Sequence, residues 1–551
     1  MKKAVGDIVY RMSGDGELAK ICTQVISDLE EGNVCRRIES EDDLSVLERV
    51  PQVVTQVDGD SDAETVKTPF VLVGDLLYTR RNWLYEQTVR RRMLAMISTS
   101  ADRDVAVPTD GFYSGLRDEQ RKAVEAVCRN RFSILSGGPG TGKTFTVARA
   151  VNFIRERAPD LRLALAAPTG KAAARMEEAM NAALKASCVG PDVASGAVVL
   201  KARTLHSLLE PNYDFVTFRH NRDYPLPLDW LIIDEASMID LPMMAKLLDA
   251  LPEACRLTLV GDVDQLASVE RGHVLGDLCR MPGVSLCRLV ESARFPSGGA
   301  VARLAVAVNG NHAEEAQGIL SAGGDVISFV DLTTAKPFEP QTWKGLMALI
   351  ENGFKAFAES TSAADALAHL NDFRVLCALR NGPFGVERMN AFIKSRLGGK
   401  CPVPWMITQN DHTLGVSNGD VGVVMPAEPG DAQYVCLEAP GGIRKIRAEL
   451  LPSKELAFAS TIHKAQGSEY GEVVILMPPQ GGSPILTREI LYTGITRTKG
   501  KVHIYAGLES IRVCCEQRVE RVSGLLAGRC ARRANSSAQR EFCYNMCHGD
   551  E

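Results

Sequence analysis

The chain has 551 residues, too many for one ordinary core and enough for three or four domains. Hydrophobic residues make up 45% and charged residues 24%, the balance of a globular protein and not of a disordered one. A formal charge of −5 excludes a protein that coats nucleic acid through bulk charge, so any contact with a polyanion has to be a local groove.

Met1-Lys2-Lys3 opens no apolar run, so no secretory signal is expected. No stretch approaches the roughly 18 apolar residues of a membrane span. The expectation is a cytoplasmic protein with no membrane partner. The 15 cysteines are scattered and odd in number, and several, such as Cys377, sit in apolar runs as small buried hydrophobes. Disulfides are not expected in a reducing compartment. Cys543, Cys547 and His548 imitate a metal cluster but lack a well-spaced fourth ligand.

Residues 1–110 form a first, α-rich region. Twelve acids face three bases between Asp28 and Glu64, and six bases face two acids from Lys67 to Arg92. Such a split is a solvated surface or a docking face for a protein partner. Val71-Leu72-Val73, Gly74-Asp75 and Leu76-Leu77-Tyr78 predict a small hairpin. From Gly111 the pattern turns α/β: apolar strands at Phe132–Leu135, Leu161–Ala166, Trp230–Ile233 and Arg256–Val260 alternate with longer helical stretches. That alternation predicts a parallel sheet with helices on both faces over 111–287. A second series follows over 288–401 and 453–527, with strands at Val375–Leu379, Val473–Met477 and Val502–Tyr505. Residues 210–226, with Tyr213, Phe215, Phe218 and Tyr224, suit a short projecting hairpin. Residues 402–452 carry turn signals at Asn418-Gly419, Glu428-Pro429-Gly430 and Gly441-Gly442 and suggest a small β-barrel. The tail 528–551 has little periodicity and is expected to be poorly ordered.

The sharpest chemical signal is Gly137-Gly138-Pro139-Gly140-Thr141-Gly142-Lys143-Thr144, directly after a strand and opening a helix. This is the phosphate-loop pattern in its required context. Glycines let successive N–H groups face phosphate oxygens at a helix N-terminus. Lys143 would place its charge on the β and γ phosphates of ATP, and Thr144 would offer its hydroxyl to Mg2+. About ninety residues on, Leu231-Ile232-Ile233 ends in Asp234-Glu235. Asp234 suits a metal ligand and Glu235 a general base for the attacking water. Leu259-Val260-Gly261-Asp262-Val263-Asp264-Gln265 ends another strand, with Gln265 placed to sense the γ-phosphate.

These segments resemble superfamily 1 helicases, in the order found there. Asp118-Glu119-Gln120, the phosphate loop, Ala167-Pro168-Thr169-Gly170-Lys171, Thr204-Leu205-His206, Asp234-Glu235 and Gly261-Asp262 lie in the first half. Ser292-Ala293-Arg294-Phe295, Thr461-Ile462-His463-Lys464-Ala465-Gln466-Gly467 and Tyr492-Thr493-Gly494-Ile495-Thr496-Arg497 lie in the second. The likeness spans about 115–525. Asp234 to Met244, Leu376-Cys377-Ala378-Leu379-Arg380 with Gly382-Pro383-Phe384-Gly385-Val386, and Asn418-Gly419-Asp420 are similar to the RecD family, the alpha subunits of exodeoxyribonuclease V, or RecBCD.

The resemblance implies two RecA-like domains, an SH3-like insertion at 402–452 and an N-terminal partner-docking domain. It implies a 5′-to-3′ ATP-dependent helicase that acts on single- and double-stranded DNA ends in repair and recombination. RecB-like and RecC-like subunits would be its partners and would supply any nuclease activity. Gln120 would read the adenine edge, and Arg294 and Arg497 would reach the γ-phosphate from the second domain. Pro168, Thr169, Thr204, His206, Thr461 and His463 would face the single strand, and the 210–226 hairpin would stand where the strands separate. Each of these also has a plainer reading as a cap, a core residue or packing. A free-standing RecD-like helicase, a phosphate-loop kinase or switch NTPase, and a binding-only subunit are the rival readings. The second set of strand-end motifs counts against the kinase and switch readings.

Overall fold

The computed structural model describes residues 2–57, 65–98, 110–186, 200–212, 217–268, 271–292, 299–333, 340–398, 401–411, 413–426, 432–439, 442–451 and 453–526. In the N-terminal region the helix Gly16–Glu30 is capped by Asp15, whose carboxylate accepts from Glu17 N and Leu18 N at 2.8 and 3.0 Å. Leu18, Ile21, Cys22, Val25, Ile26 and Leu29 form its buried stripe. The expected hairpin is present as the antiparallel strands Phe70–Val73 and Leu76–Thr79, turning at Gly74 with φ 59.

The helix Arg80–Ser98 packs on the helix Leu241–Ala250 of the next domain. Trp83, Val89, Met93 and Met96 thereby share one core with Leu231, Leu257 and Leu247. The N-terminal region is therefore fused by its core to the first α/β unit.

Among the described residues that unit has six parallel strands, in spatial order Ser285–Leu289, Phe132–Gly137, Arg256–Gly261, Trp230–Ile233, Leu163–Ala167 and Ala202–Thr204. The central strands are apolar and buried on both faces, as a parallel sheet between helices demands. The expected boundary at 287/288 cuts the strand Ser285–Leu289, in which Cys287 pairs with Leu135. This edge strand is only partly buried, with a serine and an arginine in its run, so it lacked the apolar signature of its neighbours.

The second parallel sheet orders Ile327–Asp331, Thr498–Ala506, Tyr470–Leu476, Phe373–Cys377 and Ala459–Thr461. The insertion is an antiparallel row of Gly442–Arg447, Tyr434–Ala439, Val421–Val424, Val403–Ile407 and Lys454–Leu456 among the described residues. Its last strand lies beyond the expected limit at 452. After the helix Leu508–Glu516 the chain returns to the N-terminal region: Val522 O accepts from Val34 N at 2.9 Å, and Glu86 accepts from Ser523 Oγ and Gly524 N.

No described helix is long and apolar enough to cross a membrane. The described cysteines are free thiols, most of them buried, and burial pushes the Cys377 thiol well up. Cys543, Cys547, His548 and the rest of the tail lie outside the described residues.

Candidate functional site

The strand Phe132–Gly137 is hydrogen-bonded on both sides, which fixes the start of the phosphate loop at the sheet's C-terminal edge. A Cβ on Gly137 would lie 2.6 Å from Leu289 O, so only glycine fits there. Gly142 turns at φ 87 directly before the helix Lys143–Arg157, and a Cβ there would meet Gln120 Nε2 at 2.7 Å. Between them Thr141 Oγ1 donates to Gly138 O at 2.9 Å, Pro139 O accepts from Ser292 Oγ at 3.0 Å, and Gly140 sits at φ 78. Lys143 Nζ donates to Gly137 O and Gly138 O at 2.6 and 3.1 Å, which holds its ammonium beneath the loop. Thr144 follows on the first turn. Gln120 is buried, donating from Nε2 to Thr141 O at 3.3 Å and accepting from Arg117 N at 3.2 Å. Arg117 Nη2 braces the same Thr141 O at 2.5 Å.

Asp234 and Glu235 follow the buried strand Trp230–Ile233. Asp234 Oδ1 accepts from Glu235 N at 2.8 Å. Glu235 sits at φ 52, a left-handed conformation costly for a residue with a side chain and held here by its surroundings. Burial pushes both carboxyls upward, and the Asp234 charge pushes Glu235 further. Lys143 and Arg175 pull both back, and Arg497 pulls Glu235 back from the second domain. Glu235 is thus raised towards the range in which a carboxylate makes an effective base.

Gln265 is buried; its Nε2 donates to Asp262 Oδ2 at 2.9 Å, while its Oε1 has no hydrogen-bond partner among the described residues. The same Asp262 Oδ2 accepts from Tyr492 OH at 3.0 Å. Beside it Leu266 N donates to Thr493 Oγ1 at 3.0 Å, and Gln466 Nε2 donates to Leu266 O at 2.7 Å. The strand end bearing Gln265 is therefore wired to two segments of the second domain. Burial pushes the Tyr492 phenol well up, so it stays a neutral donor.

Arg175, on the helix Gly170–Ala186, also crosses, donating to Gly467 O at 2.5 Å and pairing with Glu469 at 2.9 Å. Tyr492, Gln466 and Arg175 were not singled out from the sequence. The first two stood inside quoted motifs, whereas Arg175 had no local signal. Arg497 is buried, with its guanidinium donating to Thr493 O, Ser468 O and Thr496 Oγ1 at 3.1 to 3.2 Å. Arg294 lies outside the described residues.

The residues present fit a magnesium nucleotide. A loop with no room for side chains, a lysine beneath it, a hydroxyl and two acids as oxygen donors, and the unpartnered Gln265 Oε1 converge on one strand edge.

On the other side of the first sheet Ala167 pairs with Thr204, which brings Pro168, Thr169, Thr204 and His206 to neighbouring strand ends. Thr169 Oγ1 accepts from Ala172 N and Thr204 Oγ1 from Ser207 N, so both cap helices. Thr461 Oγ1 accepts from Lys464 N at 3.3 Å at the end of the second sheet's edge strand. Burial pushes His463 down, which leaves its imidazole neutral. His206 is exposed with its ring 5.8 Å from that of Phe218. In the 210–226 segment Pro211 bridges Phe218, Phe218 is buried, and Tyr224 is 51% exposed with its ring stacked on His220. Tyr213 and Phe215 lie outside the described residues.

Residues 120–271 match the family model described as an AAA domain, and residues 456–505 match the UvrD-like helicase C-terminal domain. The chain is 38% identical to the RecBCD enzyme subunit RecD of Mycolicibacterium smegmatis, with 82% of each chain covered. The corresponding subunit of Haemophilus influenzae is 34% identical over 74% of this chain and 72% of that one. The ATP-dependent RecD2 DNA helicase of Deinococcus radiodurans is 30% identical over 72% of this chain and 50% of its own length. A solved Bacteroides Pif1 bound to ssDNA overlaps 70% of this chain and 92% of its own at 17% identity and a TM-score of 0.40, too slight a likeness to bear on function. By its identity and coverage with the curated RecD subunits, the chain belongs to the RecD family of RecBCD enzyme subunits.

Proposed function

We propose that this chain is the ATP-dependent DNA helicase subunit of a RecBCD-type complex, moving 5′ to 3′ on one strand as double-stranded ends are unwound for break repair and recombination. One observation carries the reading: at the ATP edge of the first sheet Asp262, which also holds Gln265, bonds to Tyr492 of the second domain, and Leu266 bonds to Gln466 and Thr493. A kinase or a switch NTPase has no use for such a link. A motor needs it, because hydrolysis must become relative movement of two domains.

When bound, ATP with Mg2+ supplies the scissile anhydride and the cation that neutralises it. Loop N–H groups and Lys143 would hold the β and γ phosphates, while Thr144 and Asp234 would hold the cation. Glu235 would take the proton of the attacking water. Gln120 would read the base, an amide being able to donate and accept together. Gln265 Oε1 would accept from the attacking water beside the γ-phosphate while Nε2 holds Asp262, so the state of the γ-phosphate would pass through Asp262 to Tyr492. Arg497 and Arg294 would add positive charge from the far domain, a contribution on the order of 10³–10⁵ in related hydrolases. Arg497 would first have to exchange backbone partners, which ties its arrival to cleft closure.

Pro168, Thr169, Thr204, His206, Thr461 and His463 would line the single strand, the hydroxyls holding phosphates and the imidazoles offering flat faces. The insertion, with Ile407, Val416, Val424, Val435, Leu437 and Ile446 as its own core, suits an SH3-like module. The N-terminal region suits docking to RecB-like or RecC-like subunits in the cytoplasm. Its helix Lys2–Ser13 leaves Ile8 and Met12, one turn apart on the same face, about half exposed and open to a partner. Nuclease activity would come from a partner subunit.

Strand displacement by the full chain with its companion subunits, on duplexes with 5′ or 3′ single-stranded tails, tests the reading. ATP-dependent opening from the 5′ tail is expected. Opening from the 3′ tail alone would reverse the polarity, and no ATP-dependent opening would refute the function.

A further inference from the structure

A cavity of about 290 Å³ lies where the second domain meets the insertion, lined by Arg380, Glu387, Asn390, Glu455, Thr461 and Lys464 among others. Arg380 follows the strand Phe373–Cys377, and Thr461 ends and Lys464 follows its parallel neighbour Ala459–Thr461. Both cations thus stand at the same C-terminal sheet edge as the expected DNA contact Thr461. The floor is fixed by buried Asn390, which donates to Leu456 O and Ala459 O at 2.8 and 3.0 Å and accepts from Ala459 N at 2.8 Å.

Into this cavity the insertion delivers Glu455, from the middle of its last strand, Lys454–Leu456. Glu455 Oε1 lies 2.5 Å from Lys464 Nζ, and its Oε2 lies 3.1 Å from Arg380 Nη2. Arg380 Nε also pairs with Glu387 at 3.2 Å. One carboxylate therefore places its two oxygens on two different cations, as the two free oxygens of a backbone phosphate would. The side chains remain reachable, 59% exposed for Arg380, 31% for Lys464 and 26% for Glu455.

We propose that Glu455 is a built-in competitor for DNA phosphate, holding the Arg380–Lys464 pair until the backbone of a single strand displaces it. The proposal rests on the single-strand reading above and adds to it a phosphate site and the residue that regulates it. Ion pairs this exposed are weak in water, whereas a polyanion gains by releasing condensed counterions, so the exchange favours DNA at low salt. Displacement also removes the Glu455 contact between the last strand of the insertion and the second domain, while Asn390 keeps its bond to Leu456 O, so DNA occupancy reaches the insertion through one side chain.

Binding of a fluorescent oligo-dT strand to the full chain, measured across a salt series, tests this. Glu455→Gln should tighten binding several-fold at low salt. The dependence of log K on log salt should change by less than about 0.7, the share of one phosphate contact on a single strand, since the same two cations meet phosphates in both complexes. Arg380→Gln, at an exposed position, should weaken binding and flatten the slope by up to about 0.7. In the double variant the gain from Glu455→Gln should shrink, because the two residues share one site.

Unchanged affinity in Glu455→Gln, or weaker binding by a variant that melts as the wild type does, overturns the proposal. Should Glu455→Gln not fold, an Arg380→Gln variant that binds like wild type overturns it equally. Wild-type chain that binds no oligo-dT refutes the single-strand reading itself, a result distinct from wild-type binding that the substitutions leave untouched.

Discussion

The first and second parallel sheets share buried apolar cores, yet the strand ends they bring together carry different kinds of residue. The first presents the phosphate loop, Asp234, Glu235 and Gln265, the groups proposed to hold the nucleotide and its cation and to activate the attacking water. The second presents Thr461 at the C-terminal end of an edge strand, and Tyr492 and Arg497 just before the N-terminal end of the strand Thr498–Ala506, where Tyr492 reaches the first sheet's edge. One sheet holds the chemistry and the other registers it. The contrast teaches that neither edge suffices alone: Asp262 is bonded at once to Gln265 in its own sheet and to Tyr492 from the other.

Lys143→Gln breaks the chemical side outright. It removes the ammonium beneath the loop and little packing, so ATP hydrolysis should fall to background in a protein whose circular dichroism and melting are unchanged. Turnover that still rises with single-stranded DNA would refute the phosphate-loop assignment. Glu235→Gln separates the roles within that edge. Turnover should drop by about 10²-fold or more with ATP affinity nearly kept, the usual cost of losing a general base. Wild-type turnover should fall with acid at a pH above the ordinary glutamate value of about 4.3, because the raised Glu235 takes up its proton early.

Replacing residues 213–223 by a short Gly-Ser linker probes the DNA side. A strand-separating pin predicts a sharp loss of unwinding with single-strand ATPase kept, each base-pair step costing about 1.4 kcal/mol to break. The burial of Phe218 against the first domain favours the packing alternative for that residue, whereas Tyr224, half exposed though stacked on His220, is the aromatic that would meet a fork. Loss of both activities would identify a structural element.

His273 sharpens the comparison from outside both edges. Burial pushes it down to about 4, with Arg280, Arg521 and Arg518 adding to the shift. Its folded value lies below the unfolded value of about 6.5. Below that pH the unfolded chain therefore binds a proton that the fold refuses, and stability falls as pH drops towards 4, by at most about 3 kcal/mol. His273→Leu should remove that part of the acid loss in urea unfolding at pH 7 and 5 and leave turnover at pH 7 unchanged.

The phosphate loop, the Asp234-Glu235 strand end and the central strands were legible because each is a local pattern, readable within ten residues. The edge strand Ser285–Leu289 was not, since a partly exposed edge carries no continuous apolar run. The return of residues 517–526 to the N-terminal region rests on single hydrogen bonds and on Leu525, which leave no periodic trace. Nor does any spacing announce that the helix Arg80–Ser98 shares a core with the first sheet. Deleting residues 1–110 would therefore strip that core as well as any docking face. Tyr492, Gln466 and Arg175 find their partners some two to three hundred residues away, a relation that only folding creates.

The link between the edges is the central claim, and Tyr492→Phe tests it by removing one hydroxyl and almost no volume. ATP hydrolysis without DNA and unwinding of tailed duplexes, measured on the same protein, should diverge. DNA-independent hydrolysis should stay within a few-fold of wild type, while stimulation by single strands and unwinding should fall at least about tenfold, the equivalent of one buried hydrogen bond to a charged acceptor. Unwinding at the wild-type rate, or an equal fall in all three, would contradict the account.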